Sequence, residues 1–523
     1  MQNAERRALN EDQSVRSSSF IIHHSSFPAL HALLAIFILN LVLQPLTEPD
    51  FGWHLRAGID LLEHGGRMPT TDPYSYTMPD WPWVEHAWLT DGILALIYRA
   101  LGDAGALGAI VFFAAVTAGA CALATVPSRA GWTARLVAIA VVLWVARPFL
   151  GARTQFVSLL GLAVLLWIWH RMQTGSLAAV WVIPPLFLLW GNLHGGFTAG
   201  LFALGLILGV SALIRYATSQ WPVVTQRFDE PVSDWPQIGR LALAMGLAVA
   251  ATLLNPYGWG LHREIIESLS DTFMLETLRE WQPLSLETMA GRLYVAYLAG
   301  LALLMAIGYR RIEPVRWVLW LAFLWFSIRH WRNILLFLVV SLPLGAEMLE
   351  AMATRAADRL PALRRHAGQG TLAAAVCVAI ALGLSGTDHL ARVLRSGLAP
   401  EQFFRETAYP IEAVQWIKAN RDKLGTRPFN EYGHGGFLLW WLPGEKIFID
   451  GRMPAWRIGD RNIFADYLAL TNQDPPSLNV LDKYGVEWAL VARESALARA
   501  LSGAHVWRTV YEDAKARIYV RQE

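Results

Sequence analysis

The stretch PALHALLAIFILNLVLQPLTEPDFGWHLR (28–56) decides the fold. Residues 28–46 are almost wholly apolar and close to the roughly 20 residues that a bilayer-spanning helix needs. Residues 48–56 then set Glu48, Asp50, Trp53, His54 and Arg56 at the end of that run. Further apolar segments follow near 104–127, 133–147, 155–170, 177–190, 195–214, 240–254, 292–308, 314–328, 333–348 and 371–386. Two kinds of connection alternate between them. One collects arginine: RAGWTAR (129–135), HRM (170–172), GYRRIEPVR (308–316) and TRAADRLPALRRHAG (354–368). The other collects acids, histidines, amides and aromatics: EPDFGWHLR (48–56), WVEHAWLTD (83–91), GNLHGG (191–196), LNPYGW (254–259), REWQP (279–283) and IRHWRN (328–333). Arginine-rich short loops mark the cytoplasmic side. The residues able to do chemistry therefore gather on the external face.

Composition agrees. The 523 residues are 54% hydrophobic and only 16% charged, and a mean hydropathy of +0.33 excludes an ordinary soluble domain. A net charge of +2, with arginines spread through loops, gives no nucleic-acid footprint. Cys121 and Cys377 both lie in apolar runs and read as small buried hydrophobes, not as a disulfide or metal pair. Residues 1–27 are polar, with a low-complexity SSSFIIHHSS stretch, and are expected to form a disordered cytoplasmic tail in which His23 and His24 are solvated.

Segment 86–101 (HAWLTDGILALIYRAL) is short and carries Asp91 and Arg99. Counting it as a span would put the arginine clusters outside, so it is expected to lie along the outer surface as an amphipathic helix. The chain thus divides into a transmembrane domain over 28–388, with a first external loop at 47–103, and a soluble external domain over 389–523. Strand-like KIFID (446–450), EWALVA (487–492), WRTVYE (507–512) and ARIYVR (516–521) alternate there with helix-like 411–420 and 475–485, which predicts a small α/β domain. GHGG (433–436) lacks the spacing and lysine of a phosphate loop.

Asp50, at the outer end of the first span, is placed to act as a general base or to bind a divalent metal through oxygen. The bland alternative is that Glu48 and Asp50 only mark the water boundary, and that Trp81, Trp83 and Trp88 form an interfacial belt. Glu85 and His86 follow in the same loop. Arg329, His330 and Arg332, with Asn333, suit a phosphate or pyrophosphate, because guanidinium forks bind it bidentately. Each cation at mid-bilayer would cost about 2.5–3.5 kcal/mol, so these arginines sit at an interface or in a polar cavity. Arg153 and Gln155 form a second group of that type, with Arg147. Asn192, His194, Asn255 and Tyr257 end their segments on the same face, as do Glu280 and Trp281; helix caps and turns explain such residues equally well. No HExxH or GxSxG motif occurs.

The order EPDFGWHLR, DPYSYT, WVEHAWL, WGNLHGG, NPYGW, EWQP, RHWRN and FNEYGHGGFLLWWLPGEKIFIDGR resembles bacterial membrane proteins of the GT-C superfamily of polyprenyl-phosphate-sugar-dependent glycosyltransferases. The resemblance runs from about 28 to 520. It implies an all-α polytopic membrane domain of about eleven helices with a C-terminal α/β periplasmic domain, in the bacterial inner membrane. It also implies a lipid-linked sugar donor, a glycan, lipid or protein acceptor, and Asp50 as the catalytic carboxylate; Glu85 or His86 is expected to assist it. His54, Arg56, Arg153, Gln155, Asn192, His194, Asn255, Tyr257, Glu280, Trp281, Arg329, His330, Arg332 and Asn333 would meet substrate. Asn430, His434, Asp450 and Arg452 would face the acceptor. A divalent cation, Mg²⁺ or Mn²⁺, is compatible but not required. Two departures stand out: Phe51, not a second acid, follows Asp50, and Glu85-His86-Ala87 replaces a histidine-proline-proline helix start. A non-catalytic envelope scaffold and a lipid-linked glycan transporter remain as alternatives.

Overall fold

The computed structural model describes residues 28–221, 233–308, 313–359 and 388–522. Ten of the eleven expected segments are helices, from Pro28–Val42 to Ile334–Arg359. The eleventh, 371–386, and the tail 1–27 lie outside the described residues. Among the described residues, six helical stretches are long and apolar enough to cross a membrane: Trp88–Ala124, Trp132–Phe149, Phe156–Gln173, Phe197–Gln220, Met289–Ala306 and Trp331–Arg359. The first is divided at Gly102, whose φ of +54° is a left-handed conformation that favours glycine. Trp88–Leu101 is therefore a separate helix from Gly105–Ala124. It packs on Phe51–Glu63, with Asp91 and Leu94 buried against that neighbour.

The C-terminal region is α/β. Strands β1 (Pro428–Asn430), β4 (Trp488–Ala492), β5 (Trp507–Glu512) and β6 (Ala516–Arg521) form one sheet in the order β1-β4-β6-β5, while β2 (Arg457–Ile458) and β3 (Arg461–Asn462) make a separate hairpin. β1 runs parallel to β4, and β6 is antiparallel to both β4 and β5. Helix Ile411–Ala419 buries Ile411, Val414 and Ile417, the three-residue spacing of one helical face. Helix Ala496–Gly503 starts where the Ser495 side chain accepts the Ala498 amide.

Segment 446–450 departs from expectation. It is not a strand of this sheet. The Ile447 amide donates to the Tyr74 carbonyl (2.9 Å) and its own carbonyl accepts from Tyr76 N (3.3 Å), a bridge to the loop over 47–103. Its other side is held by Asn430, which accepts from Phe448 N and donates to Ile449 O, both at 2.8 Å. The apolar run that reads as a strand is the seam between loop and domain.

Candidate active site

Asp50 stands at the N-terminus of helix Phe51–Glu63 with no capping bond from its side chain, so the carboxylate is left for other partners. Glu48, two residues earlier, pairs with Arg153 from the loop that starts helix Phe156–Gln173. Burial, with Glu48 and Asp450 adding and His54 opposing, pushes the Asp50 carboxyl up to about 7. Glu48 is also raised, because burial outweighs the attraction of Arg153. A second acid thus does exist beside Asp50. It precedes Asp50 as Glu48-Pro49-Asp50, where the sequence reading looked only after it.

Glu85 and His86 lie on the other flank. Glu85 is 4% exposed; burial, with Asp91 adding, raises it to about 8. His86 is pushed down to about 3 by burial and by the nearby charges of His54 and Arg332, so its imidazole is neutral at physiological pH. Its ring lies 5.4 Å from His194 and 6.4 Å from His54. His54 Nδ1 sits 2.7 Å from Asp91 Oδ1, and its Nε2 is 3.3 Å from Thr154 Oγ1. His54, Glu85 and Asp91 bring one ligand atom each to within 4.8 Å of one another, and all three are buried. The second Asp91 oxygen has no hydrogen-bond partner among the described residues. Two carboxylates and an imidazole facing one point form a donor set that fits a divalent cation.

The third wall joins two loops. Arg332 donates to Glu280 Oε1 (2.8 Å) and stacks 4.3 Å above the Trp281 ring. His330 Nδ1 meets the Trp281 carbonyl at 2.6 Å, and Trp331 N donates to Gln282 O at 3.1 Å. The charge of Glu280 is felt at Glu48 and Arg153, and that of Arg332 at His86 and His194. Charged groups from loops more than 200 residues apart in sequence therefore act on one another in the surroundings of Glu48, Arg153 and His86.

Other residues named from sequence are used differently. Arg56 pairs with Asp60 and Glu63 on its own helix. Arg329 is exposed beside Trp325 and so is set apart from Arg332. Asn192 accepts from Trp88 Nε1 and donates to the Leu188 and Leu254 carbonyls, and Asn255 closes its own turn on Tyr257 N. His194 Nδ1 takes the Gly196 amide (2.9 Å) and lies 2.8 Å from Ser158 Oγ. Gln155 and Asn333 are half-buried beside Arg153 and Arg332. Tyr257 lies close enough to Glu85 for its phenol to be raised partly by that charge, although burial acts first.

In the C-terminal region, Asn430 and Asp450 are fully buried and the Arg452 side chain is 6% exposed. Arg452 bonds Asp450 and Asp72, so this trio is turned inward. His434 packs near Tyr409, with ring centroids 5.8 Å apart. Asp72 is not singled out in the sequence, while Glu48 and Asp91 read there only as a boundary marker and as a charge in a short segment. The acid-x-acid spacing of Glu48 and Asp50 was the available signal for Glu48.

No family model matches the chain, and no curated protein matches it in sequence. Solved structures do resemble it. One is the Archaeoglobus fulgidus oligosaccharyltransferase tethered to an acceptor peptide: 14% identity over 94% of this chain and 74% of that one, TM-score 0.53. The same organism's oligosaccharyltransferase AglB, with an inhibitory peptide and a dolichol-phosphate, aligns at 13% identity over the same shares, with a TM-score of 0.50. ArnT from Cupriavidus metallidurans, bound to undecaprenyl phosphate, aligns at 16% identity over 94% and 97%, with a TM-score of 0.49. The chain has the oligosaccharyltransferase fold. The architecture expected from the sequence, a set of apolar helices long enough to span a membrane followed by a C-terminal α/β region, is the one observed.

Proposed function

We propose that this protein transfers a sugar from a polyprenyl-phosphate-linked donor to a hydroxyl of a glycan, lipid or protein acceptor, at the periplasmic face of the bacterial inner membrane. The observation that carries this is a carboxylate raised to about 7, Asp50, whose charge is felt at Arg153, with Arg332 placed beside the neighbouring His86. The acceptor oxygen attacks the anomeric carbon, its proton passes to Asp50, and the bond from that carbon to the phosphate oxygen breaks. The departing lipid phosphate gains a negative charge, which nearby fixed cations stabilise. A base with a pKa near the working pH combines availability with proton affinity. That the oligosaccharyltransferase of similar fold is described with a dolichol-phosphate and an inhibitory peptide supports the donor class and an acceptor of macromolecular size.

His54, Glu85 and Asp91 are the residues that would hold a divalent cation, which when bound would add positive charge beside the recess. The arginine-rich loops support placing the recess outside the cytoplasm. The test is turnover of undecaprenyl-phosphate-linked [¹⁴C]sugars by the purified full-length protein, with delipidated cell envelope as acceptor. Release of undecaprenyl phosphate by wild type and not by Asp50→Asn is expected. No turnover across a panel of sugars would instead favour the scaffold alternative.

A further inference from the structure

Asp450, Gly451 and Arg452 form a turn built against Asp50. A Cβ added at Gly451 would overlap an Asp50 carboxylate oxygen and lie 2.7 Å from its Cγ. The residues flanking Asp50 are gripped in the same way. A Cβ on Gly436 would overlap the Pro49 carbonyl oxygen and reach 3.3 Å from Trp53 Cδ1, and one on Gly52 would lie 2.7 Å from the Gly436 carbonyl carbon. Three glycines thus let two adjoining C-terminal segments approach the turn 49–52 closely.

The turn 450–452 is itself fixed. Arg452 donates to Asp450 through Nε (2.8 and 3.0 Å) and to Asp72 through Nη1 (2.8 Å). The Arg452 amide also donates to Asp450 Oδ1 (3.0 Å). Its guanidinium lies 5.1–5.7 Å from the ring centroids of Trp53, Tyr74, Trp83 and Trp456. Asp72, Tyr74 and Trp83 belong to the first external loop, and Trp53 to the helix that Asp50 begins. Arg452 therefore ties the C-terminal turn to both segments that flank the carboxylate.

We infer that the Asp450–Gly451–Arg452 turn is the positioning element of Asp50: Gly451 closes one face of its carboxylate, and buried Arg452 holds Gly451 there. This rests on Asp50 being the residue that takes the acceptor's proton. It makes the C-terminal domain part of the reacting centre through backbone contact, with its charged turn holding the base and leaving the acceptor to other residues. A displacement of about 1 Å at a reacting group can cost about 10²-fold in rate, and a Cβ at Gly451 forces a shift of that order.

Two readouts separate this inference from the proposed activity. In a full-length protein lacking Cys121 and Cys377, the pair Asp50→Cys and Gly451→Cys should form a disulfide on mild oxidation. Adding Arg452→Lys should preserve it, and adding Arg452→Met should abolish it. Should Arg452→Met fail to fold, Arg452→Met with Asp450→Asn removes one charge of each sign and answers the same question. Equal cross-linking with Arg452 retained and with Arg452→Met overturns the inference, whatever the protein catalyses. In turnover of undecaprenyl-phosphate-linked [¹⁴C]sugar, Gly451→Ala should lower kcat about 10²-fold at unchanged donor KM, with Arg452→Lys staying near wild type. Wild-type kcat in a well-folded Gly451→Ala protein also overturns it. If wild type itself turns over no donor, the proposed function fails, and the disulfide result still decides the positioning role.

Discussion

Replacing Asp50 with Asn should damage catalysis while stabilising the fold, with opposite dependences on pH. Burial raises this carboxyl from 3.8 to about 7. At 1.36 kcal/mol per pH unit, keeping it ionised above pH 7 costs the native state up to about 4 kcal/mol. That is an upper bound, because the side chain is half-buried and solvent screens part of the field. The sign follows from proton counting. Between about pH 4 and 7 the native protein holds a proton on Asp50 that the unfolded chain has lost, so stability from this group falls as pH rises through that window. Glu48, Asp450 and His54 are the charged groups facing it; Glu48 and Asp450 strengthen the effect and His54 weakens it. Asp50→Asn removes the dependence. Relative to wild type its melting temperature should be nearly unchanged at pH 4.5 and clearly higher at pH 8, by up to about 4 kcal/mol in stability. Donor turnover by wild type should climb with unit slope toward a plateau at about pH 7. The variant should lack that limb and run about 10²–10⁴-fold slower. The assays are fluorescence-detected thermal unfolding in detergent and release of undecaprenyl phosphate, both across pH 4.5–8.5. A variant no more stable at pH 8, together with a wild-type profile flat down to pH 5, would refute the placement of a strained base at Asp50.

Glu280→Gln frees Arg332 from its carboxylate partner and should tighten binding of undecaprenyl phosphate severalfold; unchanged or weaker binding in microscale thermophoresis would remove Arg332 from the phosphate site. Purified protein should retain about one equivalent of Zn or Mn by elemental analysis, and Asp91→Asn or His54→Gln should lose it; equal metal in wild type and variants would mean that the trio holds only a proton. Cysteines at Asp80 and Glu494, whose side chains are 74% and 88% exposed, should react with an impermeant thiol reagent from outside, and one at exposed Thr354 should not. Labelling at Thr354 in intact spheroplasts would invert the topology. Ser75, although in the external loop, is fully buried and would report nothing.

The membrane helices were legible because each must satisfy its own backbone and hide from water along its whole length, and both demands leave long apolar runs. The recess was legible only as a set of polar residues at the ends of those runs. Which of them meet depends on pairings between loops that no local pattern records: Arg153 with Glu48 across 105 residues, and Arg332 with Glu280 across 52. Arg329 and Arg332 look alike in IRHWRN, and only the turn at His330 sends one out beside Trp325 and the other in over Trp281. Asp91 counted in sequence as a charge that made 86–101 a poor span. In the fold it is nearly inaccessible and partners His54.

KIFID failed as a strand for a related reason. Alternation and β-branching describe an extended chain but not its partner, and here the partners are the Asn430 side chain and residues 74–77. The same seam explains the glycines of GHGG and IDGR, which carry no phosphate. Gly436 lies against the Pro49 backbone, Gly451 against the Asp50 carboxylate, and Gly435 against Ile449 and Asp450. A chain that keeps glycine at Gly451, against the Asp50 carboxylate, and at Gly436, against the Pro49 carbonyl, has given up side-chain packing for closeness to one half-buried acid and its turn. That trade is hard to explain for a domain that merely hangs from the membrane, and it follows directly if the domain holds the base.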